Sequence, residues 1–164
     1  MNQAEIFEAT TAEDYAVGRY LIEEYAAALG VDLCFQNFAE EIANLPKMYG
    51  HPHGCLLLAI ADGEAVGCVA VRKQSDTTCE MKRLYVKPKY RGVDLGRRLT
   101  EVAIRNAQQL GYARMVLDTL PSMVEAQSLY GSLGFREIEN YYQNPQNDVR
   151  YLARELTSCE QNPV

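Results

Sequence analysis

The stretch from residue 79 to residue 99 constrains the fold more than any other part of the chain. It reads CEMKRLYVKPKYRGVDLGRRL. Alternating apolar residues predict a strand up to Val86, a proline and a basic, glycine-containing loop follow, and Leu95 and Leu99 begin a helical pattern. Such a connection leaves unpaired N–H groups at the helix start, where the helix dipole also favours anions. The stretch therefore predicts an anion site, most often one for phosphate.

The overall composition is that of a globular protein. The chain has 164 residues, 48% of them hydrophobic, and a formal net charge of -6. We expect one domain over 1–158 and a disordered tail over 159–164. Because the chain carries no global positive field, nucleic acid is disfavoured as a partner, whereas a cationic substrate is compatible with the charge.

The cysteines and the hydropathy indicate the compartment. The five cysteines are dispersed and form no C-x-x-C pair, which argues against a disulfide framework or a structural metal site. The longest apolar run covers residues 55–61, too few to span a bilayer, and the N-terminus has no apolar signal segment. We expect a cytoplasmic protein with no membrane and no metal partner.

Capping and turn residues place the elements of the first half of the chain. A short strand at 6–7 precedes a helix that begins at the Thr11–Asp14 capping box and ends at Gly30. A second helical pattern has apolar residues at three- and four-residue spacing, namely Phe35, Phe38, Ile42 and Leu45, and Pro46 should end it. Asp62-Gly63 then predicts a tight hairpin between strands at 55–61 and 64–71.

The second half of the chain continues with alternating strands and helices. The helix after the glycine loop should run to about Leu110, and Ser122 with Glu125 forms a second capping-box pattern before a helix at 124–133. Further strands are predicted at 114–118, 135–142 and 149–156. The order β-α-α-β-β-β-α-β-α-β-β predicts an α/β (α+β) fold, with a mixed sheet covered by helices.

The loop from Arg91 to Gly96 reads RGVDLG, which is neither a Walker loop nor a Rossmann fingerprint. In its strand–loop–helix context it resembles [QR]-x-x-G-x-[GA], the acyl-CoA-binding motif of the GCN5-related N-acetyltransferase (GNAT) superfamily. Three further segments are similar to that family: the aromatic-valine-x-proline exit from the strand at 85–88, the LDT segment at 117–119, and the helix–strand segment at 126–135. The resemblance covers most of the chain.

Membership of this family implies a fold, a reaction and a binding site. The sheet would be mixed, mostly antiparallel and splayed between its fourth and fifth strands, flanked by about four helices. Acetyl-CoA would bind in the split as co-substrate, and its acetyl group would pass to a primary amine by direct transfer in a ternary complex. The resemblance assigns cofactor binding to Leu84, Tyr85, Val86, Arg91, Gly92, Val93, Asp94, Leu95, Gly96 and Arg97.

Asp94 departs from the family pattern, which most often has a glycine there. Aspartate tolerates left-handed backbone better than most residues, but its carboxylate repels phosphate unless it faces solvent or pairs with Arg91, Arg97 or Arg98. We expect pyrophosphate binding to survive. The alternative is that Asp94 marks a lost or altered cofactor site.

The resemblance assigns two catalytic roles. Tyr130 corresponds to the family tyrosine that lies near the thioester sulfur, and is the candidate general acid; alternatively it packs only as a helix residue. Glu80, which strand alternation should place on one face with Lys82 and Leu84, is the candidate base. Alternatively, Glu80 is an exposed strand residue paired with Lys82 or Arg72.

Several alternatives stay open from the sequence. The chain could be a catalytically silent acyl-CoA-binding sensor or interaction module, and a nucleotide-binding protein would share the anion site but lacks its fingerprint. His51 and His53 fit a loop better than a metal site. An aromatic substrate wall could come from Phe35, Tyr49, Tyr141 and Tyr142. The acceptor is undetermined, and a homodimer is an open oligomeric state.

Overall fold

The protein, in a computed structural model, is described for residues 3–30, 33, 37–144 and 148–156. Within these residues, seven strands and five α-helices occur in the predicted order, one short helix among the five being additional to the four predicted. The strands are β1 (Glu5–Glu8), β2 (Cys55–Ala61), β3 (Glu64–Lys73), β4 (Thr78–Val86), β5 (Arg114–Thr119), β6 (Arg136–Ile138) and β7 (Arg150–Glu155). The helices are α1 (Ala12–Leu29), α2 (Phe38–Ala43), α3 (Leu45–Met48), α4 (Leu95–Gln109) and α5 (Val124–Ser132).

All seven strands form one sheet in the order β1-β2-β3-β4-β5-β7-β6. Every neighbouring pair is antiparallel except β4 and β5. These two parallel strands are paired only from Thr78 to Glu80 in β4 and from Arg114 to Val116 in β5. Beyond these residues they diverge, so the sheet is splayed between its fourth and fifth strands, as the family resemblance implies.

Helices cover both faces of the sheet. Apolar residues of α4 and α5, including Leu99 and Tyr130, are buried against one face. Leu21 and Ile22 of α1 are buried against the other face, together with Leu45 and Tyr49. Because helices pack on both faces of the sheet, side chains from either face can line the split between β4 and β5.

A β-bulge divides β4 in two. The pairing of β3 with β4 shifts by one residue, and Arg83 has a left-handed backbone with φ of +61°. Met81 packs toward α4 before the bulge, whereas Leu84 does so after it. The prediction that Glu80 and Leu84 share a face is therefore wrong, because one extra residue reverses the alternation.

Local sequence rules hold at the start of the chain and fail in three later places. The Thr11–Asp14 capping box forms, and Gly30 ends α1 in the left-handed conformation. Pro46 does not end a helix but lies in the first turn of α3, where main-chain N–H groups have no partner within the helix, so the missing N–H of proline costs no hydrogen bond. The predicted start of the second helical pattern at Phe35 lies outside the described residues. At α5 no side chain caps the first turn, so the Ser122–Glu125 box is not formed.

The third failure concerns the predicted strand at 135–142. The strand β6 ends at Ile138, and Tyr141 and Tyr142 lie in a bend beyond it. Their hydroxyls donate to Glu80 and Asp118, two carboxylates of the central strands. These contacts draw the segment over the sheet rather than along it.

Candidate active site

A groove of about 870 Å³ lies along the split of the sheet. Its walls are the second half of β4, the glycine loop with the start of α4, the C-terminal part of α1, and residues of α5. Of the ten residues predicted to bind the cofactor, all but Val93 line the groove. The structure thus brings together residues that are predicted from the loop motif and residues from α5 that the motif does not mark.

The start of α4 offers main-chain donors to the groove. Asp94 is the N-terminal cap residue, with φ of +66°, and its side chain makes no capping hydrogen bond. The first N–H groups of a helix have no partner within it, so those of Leu95, Gly96 and Arg97 are oriented outward. Together with the helix dipole, they form an anion site at the mouth of the groove.

Two arginines, Arg91 and Arg97, line the groove beside this anion site. Arg97 donates to Ser132 Oγ of α5 at 2.7 Å, and its Nε lies 3.5 Å from the Asp94 carboxylate. The Asp94 side chain is 70% exposed. Asp94 therefore meets both conditions under which an aspartate can replace the family glycine without repelling phosphate. Its backbone adopts the left-handed conformation, and its carboxylate is paired with Arg97 and faces solvent. Arg98, by contrast, donates to the Ala4 carbonyl at 2.7 Å and does not line the groove.

The second half of β4 presents main-chain groups to the groove. The Lys87 N–H donates to the Val66 carbonyl of β3 at 2.9 Å. Because main-chain groups alternate in direction along a strand, those of Leu84 and Val86 point away from β3, where β5 has diverged. The Val86 carbonyl accepts a hydrogen bond from Arg91 Nε at 2.9 Å. An extended, amide-bearing ligand could pair with this edge as a further strand.

An inner pocket of about 90 Å³ adjoins the groove, and the two share the lining residues Tyr25, Leu29, Leu84, Met123 and Ala126. Tyr130 lines the inner pocket and packs edge-to-face on Phe135, with the two ring centroids 5.7 Å apart. Its hydroxyl makes no hydrogen bond to any described residue. Burial raises the pKa of this hydroxyl, so it stays protonated at neutral pH.

Glu80 is buried, with an exposed fraction of 1%, and lines neither the groove nor the inner pocket. One carboxylate oxygen, Oε1, accepts from Arg72 Nε at 2.7 Å, and Oε2 accepts from the Tyr141 hydroxyl at 2.6 Å. The pairing with Arg72 is one of the two partners considered from the sequence, but the residue is not exposed. Each oxygen thus has a hydrogen-bond donor, and the carboxylate faces neither the groove nor the inner pocket.

A second carboxylate, Asp118, lines the inner pocket. Its Oδ2 accepts hydrogen bonds from the Tyr142 hydroxyl and, at 3.3 Å, from Asn144 Nδ2. Asn144 Nδ2 also lies 2.9 Å from the Tyr142 hydroxyl. Asp118 belongs to the LDT segment that resembles the family, where the sequence gives it no role; the available signal was a carboxylate that directly follows the apolar run 115–117.

Two buried cations also line the inner pocket. Arg83 forms a bidentate ion pair with Glu41 of α2, with N···O distances of 2.8 and 2.9 Å. Lys82 is 7% exposed. Burial lowers the pKa of Lys82, and the nearby Glu80 and Asp118 carboxylates oppose that decrease. The inner pocket is thus lined in part by charged side chains, whereas the groove is lined by both polar and apolar residues.

The remaining sequence candidates lie elsewhere. His51 Nε2 lies 2.6 Å from Glu8 Oε1, on the far edge of the sheet. No group of three or more His, Cys, Asp or Glu side chains with metal-binding geometry occurs among the described residues. Within the same ranges, none of the helices has both the length and the apolar character that a membrane span requires.

Comparison with known proteins agrees with this geometry. Residues 13–135 match the family model described as "Acetyltransferase (GNAT) family", which is most of the chain and includes the groove residues. The chain belongs to the GNAT family. Its class is therefore that of the N-acetyltransferases, as the sequence resemblance predicts.

Relatives of this GNAT protein include proteins named as N-acetyltransferases. It is 45% identical over 141 residues to an uncharacterized N-acetyltransferase of Schizosaccharomyces pombe, covering 85% of this chain and 86% of the relative. It is 35% identical over 100 residues to N-acetylaspartate synthetase of Mus musculus, covering 60% of this chain and 33% of the relative. A Streptococcus agalactiae acetyltransferase structure matches with a TM-score of 0.78 at 26% identity, covering 95% of this chain and all of the other.

Proposed function

We propose that this protein transfers the acetyl group of acetyl-CoA directly to a primary amine, within a ternary complex. The observation that carries the proposal is that the groove and the inner pocket share lining residues, with Tyr130 in the wall of the inner pocket. A long thioester in the groove would deliver its acyl end to the place where the two cavities meet, and an amine would reach it through the inner pocket.

The groove residues fit acetyl-CoA. The pantetheine arm contains amides, which can pair with the main-chain groups of Leu84 and Val86. The pyrophosphate fits the first turn of α4, where N–H groups, Arg91 and Arg97 converge. Gly96 supports the same assignment, because a Cβ there would meet the Leu129 and Val86 side chains only at 3.7 and 4.0 Å. Packing of the fold therefore does not require a glycine at position 96, whereas the absent side chain leaves space in the groove for a ligand.

The chemistry balances with the groups present. An N–C bond forms as the C–S bond breaks, the ammonium nitrogen loses two of its three protons, and the leaving thiolate sulfur gains one. The buried, protonated Tyr130 hydroxyl is positioned to supply the proton to sulfur. Glu80, the base expected from the sequence, lines neither the groove nor the inner pocket, so it would not contact the amine directly.

A silent acyl-CoA-binding module is the second candidate, and the exposed Asp94 carboxylate at the anion site favours it. Calorimetric titration with acetyl-CoA, followed by thiol release with a library of primary amines, separates the two. Binding with amine-dependent thiol release supports the transferase. Binding without release from any amine supports the silent module, and absence of binding at millimolar acetyl-CoA contradicts both.

A further inference from the structure

The inner pocket contains more charge than thioester chemistry requires. Acetyl transfer needs an acid at sulfur, which Tyr130 can supply, and a route for the amine. Yet Lys82, Arg83 and Asp118 all line this small pocket. Their arrangement therefore bears on which amine the pocket admits.

Lys82 and Asp118 flank the point where the sheet opens. The last paired residues of the two parallel strands are Glu80 in β4 and Val116 in β5. Paired residues of adjacent strands share a face, and side chains return to that face every second residue. Two residues further along are Lys82 and Asp118, which therefore lie on the same face, on opposite sides of the gap.

Asp118 is held in a way that leaves one oxygen for a ligand. Both of its hydrogen bonds, from Tyr142 and Asn144, reach the same atom, Oδ2. Within the described ranges no donor reaches Oδ1. A carboxylate fixed through one oxygen in a partly buried pocket can accept a hydrogen bond from an ammonium group, and then its proton.

Among the described residues, the charged groups around the pocket sum to zero. Arg72 is paired with Glu80, and Arg83 with Glu41. Lys82 and Asp118 complete three cations and three anions. Burying net charge is costly, so an acceptor that adds one positive and one negative group suits this pocket better than a polyamine or a simple monoamine.

We propose that the inner pocket is the acceptor subsite and that it takes a compact molecule carrying both the reacting amine and an acid group, as an amino acid does. This rests on the proposed function. The amine lies at Asp118 and the acid group at Lys82. Asp118 Oδ1 takes one proton from the ammonium, the nitrogen then bonds to the acetyl carbon as the C–S bond breaks, and its second surplus proton leaves to solvent.

The test compares amino acids with their matched α-amides, which keep the amine and remove the acid charge. Glycine, L-alanine, L-serine and L-aspartate are each assayed against the corresponding α-amide for thiol release from acetyl-CoA. For the preferred side chain, wild-type kcat/KM should favour the acid by about tenfold or more, the range that one charge-assisted hydrogen bond supplies. Equal kcat/KM for acids and amides overturns the proposal, and this comparison needs no variant.

Variants of Lys82 locate the acid group. Lys82→Met should reduce the acid-to-amide ratio to near one, whereas Lys82→Arg, which keeps the charge, should retain a preference. Lys73→Met, at an exposed lysine paired with Asp76, is the matched control and should leave the ratio unchanged. A ratio that persists in Lys82→Met overturns the assignment of Lys82.

Variants of Asp118 locate the amine. Asp118→Asn should lower kcat/KM for acids and amides alike by at least about tenfold and remove the acidic limb of the pH–rate profile. Glu80→Gln should leave that limb in place. The reverse pattern would overturn the proposal and return the base role to Glu80. Acetyl-CoA affinity, measured for each variant, reports whether the fold and the groove are intact.

The two failures are distinguishable. If wild-type protein binds acetyl-CoA but acetylates no amine, the proposed function fails. If it acetylates α-amides or simple amines as well as it does amino acids, the proposed function stands and the acceptor subsite is contradicted.

Discussion

The Arg97 guanidinium lies 3.5 Å from the carboxylate of Asp94, the residue that replaces the family glycine. Asp94 keeps the left-handed backbone that a glycine would adopt there, with φ of +66°. The pairing places a cation beside the one acidic group at the start of α4. The anion site therefore keeps the backbone conformation of the family loop, and Arg97 partly offsets the negative charge of Asp94. Variants of Asp94 can test the effect of conformation and the effect of charge separately.

Asp94→Gly should tighten acetyl-CoA binding several-fold, because it removes a negative charge beside the pyrophosphate site and releases Arg97. Asp94→Asn is the matched control for conformation, since asparagine also tolerates left-handed backbone. If charge is the cause, both variants bind more tightly in calorimetry. If neither differs from wild type, the carboxylate does not affect the cofactor.

Gly96→Leu should weaken acetyl-CoA binding by at least about tenfold without destabilising the fold. The side chain would enter the space between α4 and Leu129, while leucine has a helix propensity better than that of glycine by about 0.8 kcal/mol. Gly131→Leu, in α5 with nothing within 4 Å of its Cβ position, is the matched control. Calorimetry and thermal unfolding should show equal stability effects but a loss of affinity only at Gly96.

Tyr130→Phe should lower kcat by about 10–100-fold, at or just below the usual range for acid–base assistance. Stability and acetyl-CoA affinity should change little, because the hydroxyl has no hydrogen-bond partner in the described part of the chain. Steady-state kinetics with saturating acetyl-CoA measures the effect. An unchanged kcat would leave Tyr130 only a packing role.

Glu41→Gln should destabilise the fold by about 3 kcal/mol at neutral pH, because it leaves the buried Arg83 without its counter-charge. Burial opposes the ionised form of Glu41, but the hydrogen bonds from Arg83 outweigh it and lower the pKa below the ordinary 4.5. This contribution is therefore present above pH 4.5 and is lost as the pH falls through the folded-state pKa.

Urea unfolding at several pH values tests this pair. Wild-type stability should fall on acidification below pH 4.5, and the fall should be smaller in Glu41→Gln. Glu23→Gln is the control, since the exposed Arg19–Glu23 pair should contribute less than about 0.5 kcal/mol. Equal acid sensitivity in wild type and Glu41→Gln would show that the ion pair does not govern the acid limb.

Much of the fold follows from local signals in the sequence. The capping box at Thr11, the Asp62-Gly63 hairpin and the glycine loop after β4 are encoded within a few residues each, and all three form as predicted. The splay between β4 and β5 was predicted from the resemblance to the GNAT motifs, because composition and periodicity alone do not indicate it.

The rest of the site depends on contacts between distant residues. The bulge at Arg83 accompanies an ion pair with Glu41, 42 positions earlier, so strand alternation alone mispredicts the face of Leu84. Likewise, Tyr142 is 24 positions from Asp118, and a run of tyrosines is locally typical of a strand. Tertiary hydrogen bonds overrode that local preference.

Transfer of an acetyl group from acetyl-CoA to an amine can be measured directly by mass spectrometry of the reaction mixture alongside thiol release, with wild-type protein and the amine panel. The proposed transfer should yield one N-acetylated product molecule for each free thiol, and no thiol above background when the amine is omitted. Thiol release without an N-acetylated product, or release that does not depend on the amine, would contradict it.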